Sequence, residues 1–320
     1  MFTQKTIDLH LPESWNACTV EELEIIAHII AACAIQSDSY HPFNMLDVKT
    51  QAFFALAGVE IVEHGNPDAP VDERYFVCRI AGNKKEVFNL YVWQVHSWIE
   101  SELKWLDGNS LTRFPYPVLR RGSQHKEFHG PAALMQDFSW QRYRFAQDYM
   151  QLCIDRQNAL VRMQDNPQAN NKTGMKKALK GVMQARAFFL AILYTEEITV
   201  IDGKTQEKRR SFTYHSNQVS DNAKYFMRFS DLQWQVILFW WQGMMYYLQR
   251  RYPRCFRKQK ITKGFRPANP LELYVRTTAT MEKYLGLDEE KVNSQNFQIV
   301  LQHIEDMAKE NEELEKIKKK

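Results

Sequence analysis

"SDLQWQVILFWWQGMMYYLQRRYP", residues 230 to 253, opens with a residue suited to cap a helix and closes with one that cannot continue it. Ser230 ahead of Asp231, and Pro253 at the far end, predict one helix from Asp231 to about Tyr252. Gln235, Gln242 and Gln249 recur every seven residues, nearly two whole turns, so they share one narrow strip. Almost every other position is apolar or aromatic. A helix with so little polar surface belongs at the centre of a core. Its densest apolar run, 234 to 248, is 15 residues with two glutamines inside. A membrane span needs about 20, so no transmembrane helix is expected.

Upstream, "LPESWNACTVEELEIIAHII" (11 to 30) carries Thr19 three residues before Glu22. That is a capping box, in which hydroxyl and carboxylate each satisfy a first-turn backbone N–H. The helix then starts near Val20 and buries Leu23, Ile26, Ile30 and Cys33, with Cys18 and Leu23 at the positions of a hydrophobic staple. Trp15 reads as a structural anchor holding an incoming strand beneath this helix. "VKTQAFFALAG" predicts a second helix stopped by Gly58, and "VWQVHSWIESELKWL" a third. Ser139 caps a helix whose buried stripe is Tyr143, Ala146, Met150, Cys153 and Leu160, with Arg142, Arg144, Asp148 and Asp155 facing elsewhere. "MKKALKGVMQARAFFLAILY" continues the helical pattern. Pro270 opens a helix closed by Gly286, and a last one from about Ser294 becomes highly charged.

Two stretches read as β-hairpins: one near 75–92 around a Gly-Asn turn, and one near 197–214 opened by Asp202-Gly203. "RFPYPVLRRGSQHKEFHGP", with three prolines and two glycines, reads as a surface loop. The expected fold class is mainly α: a multi-helix, bundle-like core with one or two small β-hairpins. A polar, turn-rich stretch at 164–174 is the expected linker between an N-terminal region, 1–163, and a C-terminal region, 175–320, unless the two fold as one.

Composition supports this. Hydrophobic residues make up 44% of the 320, enough for a sizeable core, and 12 glycines with 11 prolines are too few for a many-turned sandwich. The five cysteines are scattered and lack a C-x-x-C pair, so they read as buried reduced thiols in a cytosolic protein. The opening residues lack a basic stretch followed by an apolar run, so no signal peptide is expected. A net charge of +4 does not mark the whole chain as a nucleic-acid binder.

Chemistry-bearing motifs are sparse. No phosphate-cradling glycine loop and no nucleophile elbow occurs, and "GMKKALKG" has the wrong spacing for one. His125 and His129 are four apart but lack the glutamate of a zinc helix. No catalytic residue, metal or cofactor is expected. The one marked asymmetry is "QRRYPRCFRKQKITKGFRP" (249 to 267), with Arg250, Arg251, Arg254, Arg257, Lys258, Lys260, Lys263 and Arg266 and no acid. Tyr252, Phe256 and Phe265 are interleaved, so the segment could track a phosphate backbone while rings stack on bases. It could equally meet an acidic protein partner or form a solvated edge.

The Pro12-Glu13-Ser14-Trp15 pattern followed by Thr19 and an amphipathic helix resembles the N-termini of tail-assembly chaperone-like proteins of bacteriophages. "FHGPAALMQDFSWQRYRFAQDYM", "ARAFFLAILYTEEI" and "ILFWWQGMMYYLQRRYPRCF" resemble blocks of uncharacterised proteins from phages and prophages of Bacteroidetes. The resemblance implies a non-enzymatic assembly protein of the host cytoplasm that binds a tail component such as the tape-measure protein. The alternatives are a minor virion protein of the connector or tail, and a nucleic-acid-binding protein using the basic segment. A chaperone needs an exposed apolar groove or helix face for partner helices.

Overall fold

The computed structural model describes residues 9–36, 42–83, 86–122, 126–165, 172–196, 198–201, 208–211, 214–257 and 270–318, with backbone alone at 198–201, 208–211 and 270–273. Among them are ten α-helices and two small three-stranded sheets. This is the mainly α architecture with minor β that the periodicity predicts. The chain divides into two compact units. The first joins 1–115 to 230–246, and the second joins 116–229 to 247–320. The division falls elsewhere than at 164–174, because the helices flanking that stretch pack on each other inside the second unit.

In the first unit, α1 (Val20–Gln36) begins as the capping box requires. The Thr19 N–H donates to Glu22 Oε2 at 2.6 Å, and the Glu22 N–H donates to Thr19 Oγ1 at 3.2 Å. Leu23, Ile26, Ala27, Ile29 and Cys33 are buried, so the face is centred on Ile29 rather than Ile30. Asn44 caps α2 (Met45–Leu56). Strands β1 (Val59–His64), β2 (Tyr75–Ile80) and β3 (Phe88–Tyr91) form an antiparallel sheet in that order, so the predicted hairpin gains a third strand. β3 runs straight into α3 (Val92–Glu102).

Trp15 is buried, but not beneath an incoming strand. Residues 13 to 17 form a bend and turn, and the indole stands edge-on to Trp105 and Phe239 with centroids 5.4 and 5.6 Å away. Its Nε1–H donates to the carbonyls of Trp105 and Gly108. The opening turn is therefore pinned to the loop after α3 and to α7 (Asp231–Arg251).

α7 is the central helix that its composition predicts. Ser230 Oγ accepts from the Gln233 N–H at 3.1 Å, and Trp234, Val236, Ile237, Trp240, Trp241 and Met244 are buried. At Gly243 the backbone of Leu111 lies so close that a Cβ would overlap its carbonyl oxygen. The contact is fixed from both sides, since Asn109 Nδ2 donates to the Phe239 carbonyl at 2.7 Å and Trp240 Nε1 donates to that of Thr112 at 3.2 Å.

In the second unit, the proline-rich stretch expected as a loop forms β4 (Val118–Arg121) and β5 (Lys126–His129), an antiparallel pair joined by β6 (Thr195–Glu196). The pairing with β6 is long-range and leaves no local trace. The long helices α4 (Trp140–Gln164) and α5 (Lys172–Leu193) pack along each other, with Tyr149 stacked on Phe188 at 5.3 Å. The predicted stripe of α4 is buried throughout.

Arg142, expected on the opposite face, is buried as well, at 1% exposure. Its Nε and Nη2 donate to the carbonyls of Ile192 and Leu193 at 2.9 and 2.8 Å. Those are last-turn carbonyls of α5, which have no partner within their own helix. β7 (Ile198–Ile201) and β8 (Lys208–Ser211) form the second predicted hairpin. α6 (Val219–Phe226), α8 (Pro270–Leu285), α9 (Glu289–Ser294) and α10 (Phe297–Lys318) follow, with Gly286 closing α8 at φ 67°. α10 is docked by Phe297, which stacks on Tyr143 at 4.5 Å.

Candidate functional site

Three surfaces of the second unit combine shape with charge. The first is the basic run at the end of α7. Arg250 and Arg251 are exposed on the last helical turn, and Arg251 Nη1 donates to the Tyr247 hydroxyl at 2.8 Å. Arg254 and Arg257 meet acids of the same chain. Arg254 Nη1 pairs with Glu305 Oε1 at 2.9 Å and its Nε with Glu312 Oε2 at 3.1 Å, while Arg257 Nη1 pairs with Glu312 Oε1 at 2.7 Å. Hydrogen bonds donated to both carboxylates hold Arg254 above its usual range, and the Arg254 bond holds Glu312 below its own. Lys258, Lys260, Lys263, Arg266 and Phe265 lie outside the described residues. Tyr252 is buried, so it offers no face for base stacking.

The second surface lies on the outer part of the α4–α5 pair. A groove of about 710 Å³ is lined by Ala159, Met163, Gly174, Ala178 and Gly181 together with Arg156, Lys177 and Lys180. Arg156 reaches across to donate to the Gly181 carbonyl at 2.6 Å. Elsewhere on the same two helices Ile154, Val161, Leu179 and Met183 stand exposed at 36 to 50%. From 154 to 186 the sequence carries seven basic and two acidic side chains, a larger surplus than the whole chain's +4. Sequence reasoning missed this surface, because its cations alternate with apolar residues over two helices and never form a run.

The third is an open cavity of about 1300 Å³ between the 136–142 stretch, 214–217 and α9. Its carboxylates are Asp137, Asp288, Glu289 and Glu290. Arg142 forms part of the wall, its guanidinium 4.0 Å from the Phe138 ring centroid and 5.2 Å from that of Tyr214, with Nη1 on Asp137 at 2.8 Å. Desolvation lowers the Arg142 pKa despite the pull of Asp137. The Tyr214 hydroxyl is buried without a hydrogen-bond partner, and burial pushes it up to about 12. Asp288 is already engaged, capping α9 and pairing with Lys291 at 2.8 Å. The wall is acidic overall and repels anionic ligands.

Other candidates for chemistry are spoken for. Burial pushes the Cys18, Cys153 and Cys255 thiols up to about 12 and Cys78 to about 11, so these four are protonated at neutral pH and are poor nucleophiles. His129 lies on β5 and pairs with Glu127 at 2.8 Å; His125 is outside the described residues. Among the described residues no group of three potential ligands could hold a metal, and no helix is long and apolar enough to cross a membrane. Comparison with family models, with curated proteins and with solved structures gives no match.

Proposed function

We propose that the chain is a non-enzymatic phage assembly protein that holds a helix of a tail component, such as the tape-measure protein, on the outer half of the α4–α5 pair. The observation that carries the reading is the apolar groove lined also by Arg156, Lys177 and Lys180. A partner helix fits it by laying its apolar stripe on Ala159, Met163 and Ala178 and turning acidic flanks toward the cations. Methionines suit such a surface, because an unbranched thioether repacks against different partners, and Met163 lines the groove. The phage assignment rests on the resemblance of the 11–30 stretch and the three internal blocks.

The test is binding of labelled peptides from the tail proteins of the same genome, followed by fluorescence anisotropy. Acidic amphipathic segments are expected to bind the wild type, and Ala178→Asp to weaken them at least tenfold, since it places a like charge in the groove. Met163→Leu, which keeps the apolar volume, is expected to bind as the wild type does. Equal binding by Ala178→Asp, or no binding by any segment, defeats the reading. Mass spectrometry of purified particles separates a chaperone, absent from them, from a minor virion component.

A further inference from the structure

The turn after α7 is built as an anion receptor. The backbone N–H groups of Arg254 and Cys255 converge on Glu305 Oε2 at 2.8 and 3.1 Å, and Arg254 Nη1 holds the other oxygen. Arg254 Nε and Arg257 Nη1 then grip the two oxygens of Glu312. Five N–H donors from three residues of one turn, Arg254, Cys255 and Arg257, thus meet two carboxylates carried by one helix. The two carboxylates differ in setting. The Glu305 side chain is 9% exposed, whereas Glu312 is 34% and its partner Arg257 74% exposed. Beyond Ala308 every described residue of α10 except Glu312 is exposed, so this one carboxylate fastens the outer half of the helix. An exposed ion pair holds weakly.

We propose that Glu312 is a displaceable stand-in for phosphate: the Arg254–Arg257 turn binds a nucleic-acid backbone when the outer half of α10 lifts away, while Glu305 stays in place. A tethered carboxylate has a high effective concentration, and a free acidic protein offering the same chemical group has little to displace it with. A nucleic acid has two advantages over Glu312. It presents phosphates in series, so it engages Arg250, Arg251, Arg254 and Arg257 together, and its binding releases condensed counterions. Arginine also suits phosphate, because its planar fork donates two parallel bonds.

The experiment is fluorescence anisotropy of a labelled oligonucleotide with the full chain over a series of salt concentrations. Glu312→Gln keeps the shape and removes the competing charge. It is expected to bind roughly three- to tenfold more tightly at low salt. The slope of log K against log salt should steepen by about one, the signature of an extra phosphate contact. Adding Arg257→Gln to that variant should abolish the gain. Unchanged affinity or unchanged slope in Glu312→Gln overturns the proposal. So does competition by polyglutamate at the same charge concentration as effective as that by the oligonucleotide, which would assign the turn to an acidic protein.

Discussion

Replacing Arg142 by alanine removes the donor that closes the end of α5. The carbonyls of Ile192 and Leu193, now capped at 2.9 and 2.8 Å, would be left buried without partners, at about 1–3 kcal/mol each. The stack on Phe138 would also go, while the desolvation of a guanidinium at 1% exposure would be relieved. The balance is a loss of about 3–5 kcal/mol, typical of breaking a buried ionic group out of its network. Asp137 contributes less to this network, because its side chain is 36% exposed and recovers water when the pair is broken. Asp137→Asn should therefore cost under about 1 kcal/mol. Thermal unfolding checks both: for a unit of this size, Arg142→Ala should melt roughly 6 to 20 °C lower. An Arg142→Ala variant within about 2 °C of the wild type, or an Asp137→Asn variant as damaged as Arg142→Ala, would refute the view that the helix end, not the salt bridge, is what Arg142 stabilises.

Three further outcomes are expected. Trp15→Ala should cost about 3–5 kcal/mol in urea unfolding, since it empties a buried site and leaves the Trp105 and Gly108 carbonyls short of a donor; an unchanged midpoint would make the indole a surface contact. Gly243→Ala, which in an open helix would add about 1 kcal/mol of stability, should instead lose about 1–3 kcal/mol, because the new Cβ overlaps the Leu111 backbone; a raised melting point would show that segment to be movable. Acid should loosen the outer half of α10. The Glu312 pKa is lowered by Arg254, with Arg257 and Lys316 adding to the pull, so the contribution of this carboxylate is present above the ordinary glutamate range and is lost as pH falls through the lowered value. Protection of the 309–318 amides, taken relative to their intrinsic exchange rates, should fall in the wild type as pH drops below the ordinary glutamate range and should fall less in Glu312→Gln; identical profiles would count against the fastening role of Glu312.

What could be read from the sequence was whatever the chain decides locally. Thr19 with Glu22, Ser139, Ser230 and Gly286 act within one helical turn, and each marks its helix end where expected. The stripe of α4 follows from spacing alone. Three features depend on partners far along the chain. β4 and β5 are four residues each, and they sit among prolines and glycines beside a β6 that comes more than sixty residues later. Arg142 is a charged residue on what the pattern marks as the solvent side, and only the end of α5 gives it a reason to be buried. The groove between α4 and α5 lies where a glycine of one helix meets an arginine of the other. The basic run was visible as a charge excess, but its answering acids, Glu305 and Glu312, lie about fifty residues downstream.

The first unit is completed by a helix that the ribosome delivers late. Trp15 packs on Phe239, and Gly243 lies against Leu111, so neither contact can form until more than a hundred intervening residues have been translated. At about 5–20 residues per second, Trp15 waits roughly 10 to 45 s for Phe239 to be made. During that interval the apolar surfaces of α1 to α3 lack their central helix and present a target for holdase chaperones. A fragment ending at 115 reproduces this state permanently. Low soluble yield for that fragment, restored when 230–246 is appended through a flexible linker, is the practical mark of a fold whose early half depends on its late one.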